Sequence, residues 1–104
     1  MGIDPGSGRL GLGLIEIIDD KPQLIHYDCI VTTPNSPEPQ KLSFIYYEMV
    51  KRFNEIKPDL IAIEMIFFAN NAKTAFAVGQ ARGVVLLAAA QANIEIVEIA
   101  PLRL

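Results

Sequence analysis

Leu60-Ile61-Ala62-Ile63-Glu64 decides the fold. Four apolar residues closed at once by an acid are too few for a helix. Such a run reads as a strand buried on both faces, the habit of a parallel sheet. Upstream of it, Lys57-Pro58-Asp59 is punctuation. Before that, Leu42, Ile45, Tyr46, Met49, Phe53 and Ile56 recur at threes and fours, which predicts an amphipathic helix over 38–56. Ser36 or Asn35, in the loop Pro34-Asn35-Ser36-Pro37, is its expected cap. Downstream, Asn70 or Asn71 caps a second expected helix running to about 92. That helix carries Ala75, Gly79 and Gly83 at every fourth position. Two glycines inside a helix cost roughly 1 kcal/mol each, so close approach of another backbone is the expected reason for them. Residues 94–99 then alternate as a last strand, and Pro101 breaks it.

The N-terminal part reads differently. Leu10, Leu12, Leu14 and Glu16 face one way and Gly11, Gly13, Ile15 and Ile17 the other, the period of a strand. Asp19-Asp20-Lys21-Pro22 is turn chemistry, and 24–33 is a second β-rich run, so the two form a hairpin. Residues 1–4 are the tail of a strand ended by Pro5-Gly6. The order β-β-β-α-β-α-β, a hairpin followed by two right-handed crossovers, is an α/β mixed sheet, antiparallel on one side and parallel on the other. Both ends look cut. Only four residues precede Pro5, fewer than the roughly five of a usual strand. At the other end a further helix would be expected to cover the sheet.

Composition narrows the class. A length of 104 residues makes one domain the natural reading of 1–104, and 51% hydrophobic residues exclude disorder. A single Cys29 excludes a disulfide scaffold. The longest apolar run, 83–90, is far short of the ~18 residues a membrane span needs, and the start lacks a basic, apolar leader. A soluble, cytoplasmic protein is the expectation. Nine Lys and Arg against twelve Asp and Glu give a net charge of −3, which speaks against a generic basic nucleic-acid coat. Yet residues 65–94 hold no acid while carrying Lys73 and Arg82. A buried helix explains that as readily as a neutral-to-positive surface beside Glu64.

Asp4 and Glu64 carry the chemistry. Each is an acid at the carboxyl end of an apolar strand, where ligands of open α/β sheets bind. If the first and fourth strands are neighbours, about 4.8 Å apart, both carboxylates reach one hard cation, and Mg²⁺ favours one or two carboxylates with waters and a phosphate. Acids at strand ends also simply face water; it is the pair that favours a site. Gly6-Ser7-Gly8-Arg9-Leu10-Gly11 fits G-x-G-x-x-G, but a strand follows rather than a helix. It reads as a glycine-rich approach that lets a backbone or phosphate come close, or as a plain turn. Phe67 and Phe68, just after Glu64, suit stacking on an unpaired base, although a Phe pair is more often core. His26 and Cys29 have no partners at ligand spacing and read as structural.

Taken together, Gly2-Ile-Asp-Pro-Gly6, Ala62-Ile-Glu64 with Phe67-Phe68-Ala69-x-Asn71, and Gly79-Gln-Ala-Arg-Gly83 with Leu87-Ala-Ala-Ala-Gln91 resemble the RuvC family of bacterial Holliday-junction resolvases. The resemblance implies a ribonuclease-H-like fold and a homodimer that nicks two like-polarity strands of four-way junction DNA. It implies two Mg²⁺ ions per subunit, replaceable by Mn²⁺, and RuvA and RuvB as branch-migration partners. Of four metal-binding acids in the family, the first corresponds to Asp4, which would bridge the ions. The second corresponds to Glu64, which would hold one ion and orient the water in two-metal hydrolysis. Phe67 matches the aromatic inserted at the junction, and Phe68, Asn71, Lys73, Ser7, Arg9 and Arg82 are the other expected DNA contacts. The helix beginning at Ala72 matches the one that helps pair the subunits.

The chain also departs from the pattern. The family's other two acids lie beyond the stretch represented by Pro101, and Glu95 and Glu98 do not match them. Asn70 stands for a Lys. Leu10-Gly11-Leu12-Gly13 stands for Thr-Gly-Tyr-Gly, which is expected to remove a hydroxyl near the site. A catalytically incomplete resolvase is therefore the expectation. A non-catalytic fragment that dimerises and binds branched DNA, or half of an actin-like ATPase, are the rivals.

Overall fold

A computed structural model describes residues 1–6, 8–65 and 72–99. Along the chain run β1 (Gly2–Pro5), β2 (Arg9–Ile18), β3 (Lys21–Val31), α1 (Glu38–Ile56), β4 (Leu60–Glu64), α2 (Ala72–Gln91) and β5 (Glu95–Ile99). The strands form one sheet in the order β3-β2-β1-β4-β5. β1, β2 and β3 are antiparallel neighbours, whereas β4 lies parallel to both β1 and β5. The predicted order and the mixed sheet are thus observed.

The hairpin is built by its turn. Asp19 and Asp20 both have positive φ, 53° and 63°, between the paired residues Ile18 and Lys21. This is the two-residue geometry whose twist matches that of the strands. β3 consequently starts at Lys21, earlier than the expected run, and passes through Pro22. An edge strand tolerates a proline that cannot donate to a ladder. The register slips between Leu14 and Ile15, leaving Ile25 as the extra residue of a bulge.

One layer of helix covers one face of the sheet. Ile3, Leu10, Leu12, Ile30, Ile61 and Ile63 point into a core with Ile45, Met49 and Phe53 of α1 and Ala81, Val85, Ala88 and Ala89 of α2. Both crossovers run the same way across the sheet, so the right-handed rule places both helices on the same side. This corrects the reading of β4 as buried on both faces. Ile61 and Ile63 are fully buried, but Ala62 is half-buried and Glu64 exposed. Among the described residues, the opposite face is open, with Ile15, Tyr27, Val97 and Ile99 exposed.

The helix ends show a second difference. Pro37, not Ser36 or Asn35, is the N-cap of α1, and no side chain caps it. The Pro37 carbonyl accepts from the Gln40 and Lys41 amides, while Ser36 lies one residue too early and bonds back to Thr33. Lys57, with φ 52°, closes the helix in the left-handed conformation. Asn93 does the same after α2, with φ 58°. Residues 70 and 71, the expected cap of α2, lie outside the described residues. No described helix is long and apolar enough to cross a membrane.

One polar cluster ties α1 to the hairpin. Arg52 pairs with Asp28 of β3 at 2.7 Å and with Glu48 one turn back at 3.1 Å. The Arg52 guanidinium, with help from the Cys29 amide, holds the Asp28 carboxyl below its usual range. A depressed carboxylate contributes stability above its unfolded pKa and loses it as pH falls through the folded value. Asp28→Asn should therefore cost about 0.5 kcal/mol near neutrality, a surface-pair magnitude. Urea titrations should show that difference vanishing as pH drops below about 4.

Candidate active site

The central pairing sets the geometry. Gly2 lies opposite Ala62 and Ile3 opposite Ile63, so one step further Asp4 stands beside Glu64. Both side chains leave the sheet on its open face, because Ile3 and Ile63, their neighbours in sequence, are buried on the other. Asp4 in turn pairs with Gly11, and Gly11 with Cys29. Glu64 pairs with Ile99. One row across all five strands therefore reads Cys29, Gly11, Asp4, Glu64, Ile99.

The row ends a shallow trough of about 590 Å³, walled by Asp4, Glu64, Gly11, Gly13, Tyr27 and Ala62. Glycines at 11 and 13 keep its floor low. A Cβ at Gly11 would stand 3.1 Å from the Tyr27 hydroxyl. A second depression of about 600 Å³ lies at the other end of β1, among Met1, Ile15, Lys57 and Pro58. Glu16 and Asp59 also line it, but it lies away from the strand ends that carry Asp4 and Glu64.

Asp4 and Glu64 are both exposed, and neither carboxylate has an ion-pair or hydrogen-bond partner among the described residues. Two unpaired anions in register repel unless a cation lies between them. That donor set, two hard oxygens with room for water and phosphate, fits Mg²⁺. Among the described residues no third Asp, Glu, His or Cys completes a larger metal cluster. Two carboxylates suit one ion better than two.

The remaining expected site residues fall in three groups. Ser7, Phe67, Phe68 and Asn71 lie outside the described residues. Lys73 is exposed in the first turn of α2. Arg9 lies exposed at the start of β2, against Cys29. The Arg9 guanidinium, and after it the Tyr27 hydroxyl, lower the Cys29 thiol from its ordinary pKa. Arg82 is engaged within the chain. It pairs with Glu98 of β5 and donates to the backbone carbonyl of Glu64 at 3.3 Å. It is thereby a brace for the strand end that bears the acid.

Two readings from sequence change here. The hydroxyl expected to be lost from the stretch 10–13 would not have been near the acids at either leucine. Leu10 and Leu12 point into the core, 1% and 3% exposed, on the face opposite Asp4. Second, Tyr27 went unnoticed. The signal was present in the alternation of β3, which puts 27 and 29 on the same face as Gly11 and Gly13. The bulge at Ile25 hid it, because the alternation cannot be extended through a bulge.

A central strand flanked by an antiparallel hairpin and parallel crossovers, with acids on adjacent strand ends, defines a ribonuclease-H-like fold. The profile of the family "Crossover junction endodeoxyribonuclease RuvC" matches residues 1–104. The chain belongs to the RuvC family. It is 41% identical over 103 residues to the crossover junction endodeoxyribonuclease RuvC of Pelotomaculum thermopropionicum, covering 99% of this chain and 63% of that protein. Its identity to the same enzyme of Desulfitobacterium hafniense is 43%, again over 99% of this chain, and 62% of the relative. Among solved structures, T. thermophilus RuvC in complex with a Holliday junction substrate superimposes with a TM-score of 0.85 at 31% identity. It covers 96% of this chain and 62% of that one. The chain thus spans less than two-thirds of the length of these relatives.

If Arg82 braces β4 and β5, Arg82→Ala should lower stability by about 0.5–1 kcal/mol. Amide exchange should quicken at Met65, whose N–H donates to Ile99 at 2.8 Å, more than in the hairpin.

Proposed function

We propose that this protein is a Holliday-junction resolving endonuclease of DNA recombination and repair. Asp4 and Glu64 hold Mg²⁺, and the substrate is four-way junction DNA. The observation that carries the reading is the β1–β4 register, which sets two unpartnered carboxylates side by side. When bound, a divalent ion supplies charge neutralisation at a phosphate and a more acidic water. The chain's own contribution is to hold the acids at fixed spacing, keep the floor low at Gly11 and Gly13, and set the cationic Arg9 nearby. Junction DNA is supported by the RuvC relative solved with such a substrate, and a cytoplasmic site of action belongs to the same proposal.

A homodimer belongs to the same proposal. Phe76 and Leu87 are exposed on α2, 70% and 52%, on a stripe with Gly79 and Gly83. Apart from the helix's own neighbouring backbone, no atom of the described residues lies within 4 Å of a Cβ built at either glycine. The close neighbour expected from the glycines is thus absent from the described residues of this chain, and a second copy supplies one. RuvA and RuvB are the proposed partners in branch migration, on the family's pattern.

Two carboxylates alone favour a second reading: a chain that dimerises and binds branched DNA with little cutting. Sedimentation with a synthetic junction, alongside a Mg²⁺-dependent cleavage assay, separates the two. Cleavage abolished by Asp4→Asn and Glu64→Gln supports the resolvase. Binding without cleavage supports the second reading, and neither outcome survives a protein that ignores junctions.

Cation binding itself has a thermodynamic signature. Mg²⁺ at a hundred times its Kd should stabilise the wild type by about 2.7 kcal/mol. Asp4→Asn should be slightly more stable than wild type in chelator, and thermal melts should show it gaining nothing from the ion. A wild-type melting temperature indifferent to Mg²⁺ would sink the metal site.

A further inference from the structure

Tyr27 is the unexplained side chain of the open face. It sits on β3, opposite Gly13, two strands away from Asp4. Its ring nevertheless crosses β2. A Cβ placed at Gly11 would lie 3.1 Å from the Tyr27 hydroxyl and 3.9 Å from the Asp4 Cβ, so the phenol oxygen and the root of the Asp4 side chain flank the same glycine. Burial of the ring does not account for this, since Tyr27 stays 64% exposed. What the placement achieves is to bring a hydroxyl to the wall of the trough that holds both acids.

The hydroxyl is also available. Its partner is the Cys29 thiol, which donates to it at 3.7 Å. Sulfur is a weak hydrogen-bonding group in either direction, so a charged oxygen displaces it readily. Arg9 lies next to the same pair and adds positive charge on that side. Anionic Asp4 and Glu64 on one flank, with a phenol proton and a guanidinium on the other, make an arrangement for a group that is itself anionic and brings a cation. A phosphodiester with its divalent ion is that group.

We infer that Tyr27 is a phosphate-positioning residue: its hydroxyl donates a hydrogen bond to a non-bridging oxygen of the phosphate presented to Asp4 and Glu64. The inference rests on the reading of those two acids as the metal-binding pair.

Terbium luminescence tests it, because Tb³⁺ occupies carboxylate sites of hard cations and emits when an excited tyrosine lies close. The chain has no Trp and three Tyr. Tyr46 and Tyr47 belong to α1, on the covered side of the sheet. Emission excited through tyrosine should appear in the wild type. Tyr27→Phe should lose most of it although calorimetry still registers terbium, and Asp4→Asn should lose both. With Ca²⁺ in place of Mg²⁺, Tyr27→Phe should weaken binding of a short oligonucleotide about tenfold, the worth of one hydrogen bond to a charged group. Emission that survives Tyr27→Phe, or an unchanged oligonucleotide affinity, overturns the role of Tyr27 and leaves the acids standing. Terbium binding indifferent to Asp4→Asn and Glu64→Gln removes the metal pair, and the role of Tyr27 with it.

Discussion

The parallel ladder between β1 and β4 is the constraint on which the molecule depends. It joins the first residues of the chain to a strand that follows the long helix α1, and its register fixes which side chains share a row. A strand has period two, so a slip of one residue would send Asp4 or Glu64 into the core and bring Ile3 or Ile63 to the surface. Burial of Ile3, Ile61 and Ile63 prevents that slip. The hydrophobic core thus sets the spacing of the two acids, with no direct bond between them.

Around that ladder, ion pairs stand at two places among the described residues. Arg52 with Asp28 and Glu48 joins α1 to the hairpin. Arg82 with Glu98 and the Glu64 carbonyl joins α2 to the outer parallel strands. Each helix is therefore pinned by one arginine to the strands it packs against. Asp28 and Glu98 alternate with residues of the open face and so point toward the helices. The sheet presents one set of acids to its helices and another, Asp4 and Glu64, to its exposed side.

Much of this was legible in the residues. Periodicity located α1 to the residue, and the chain order of strands and helices with its mixed sheet was readable from a hairpin and two handed crossovers, whereas the order of strands across the sheet came from the structure. The acids at strand ends could be paired only on the condition that the first and fourth strands are neighbours, which the β1–β4 ladder supplies. What stayed hidden depends on tertiary context. The run 60–63 looks buried on both faces because Ala62 is apolar, yet nothing in its composition tells which side the helices take. The cap of α1 was misplaced because Ser36 and Pro37 are adjacent, and proline geometry decided between them. Tyr27 was hidden because a bulge shifts the alternation by one. The comparison of Leu10 with a hydroxyl-bearing residue misled for a similar reason, since closeness in sequence to a site says nothing about the face a strand residue chooses.

The pairing of Met1 with the start of β4 has a kinetic consequence. The Met1 amine donates to the Leu60 carbonyl across 59 residues of chain. Closing such a loop carries an entropic cost that neighbouring strands joined by a tight turn never meet. The β2–β3 hairpin can assemble early from nearby contacts, whereas the seam between β1 and β4 must await α1. On the ribosome, a nascent chain would hold Asp4 idle until the codons for β4 had been read and that strand had left the exit tunnel. Assembly of the acidic pair therefore marks the late stage of maturation, and Asp4 meets Glu64 only once the topology is committed.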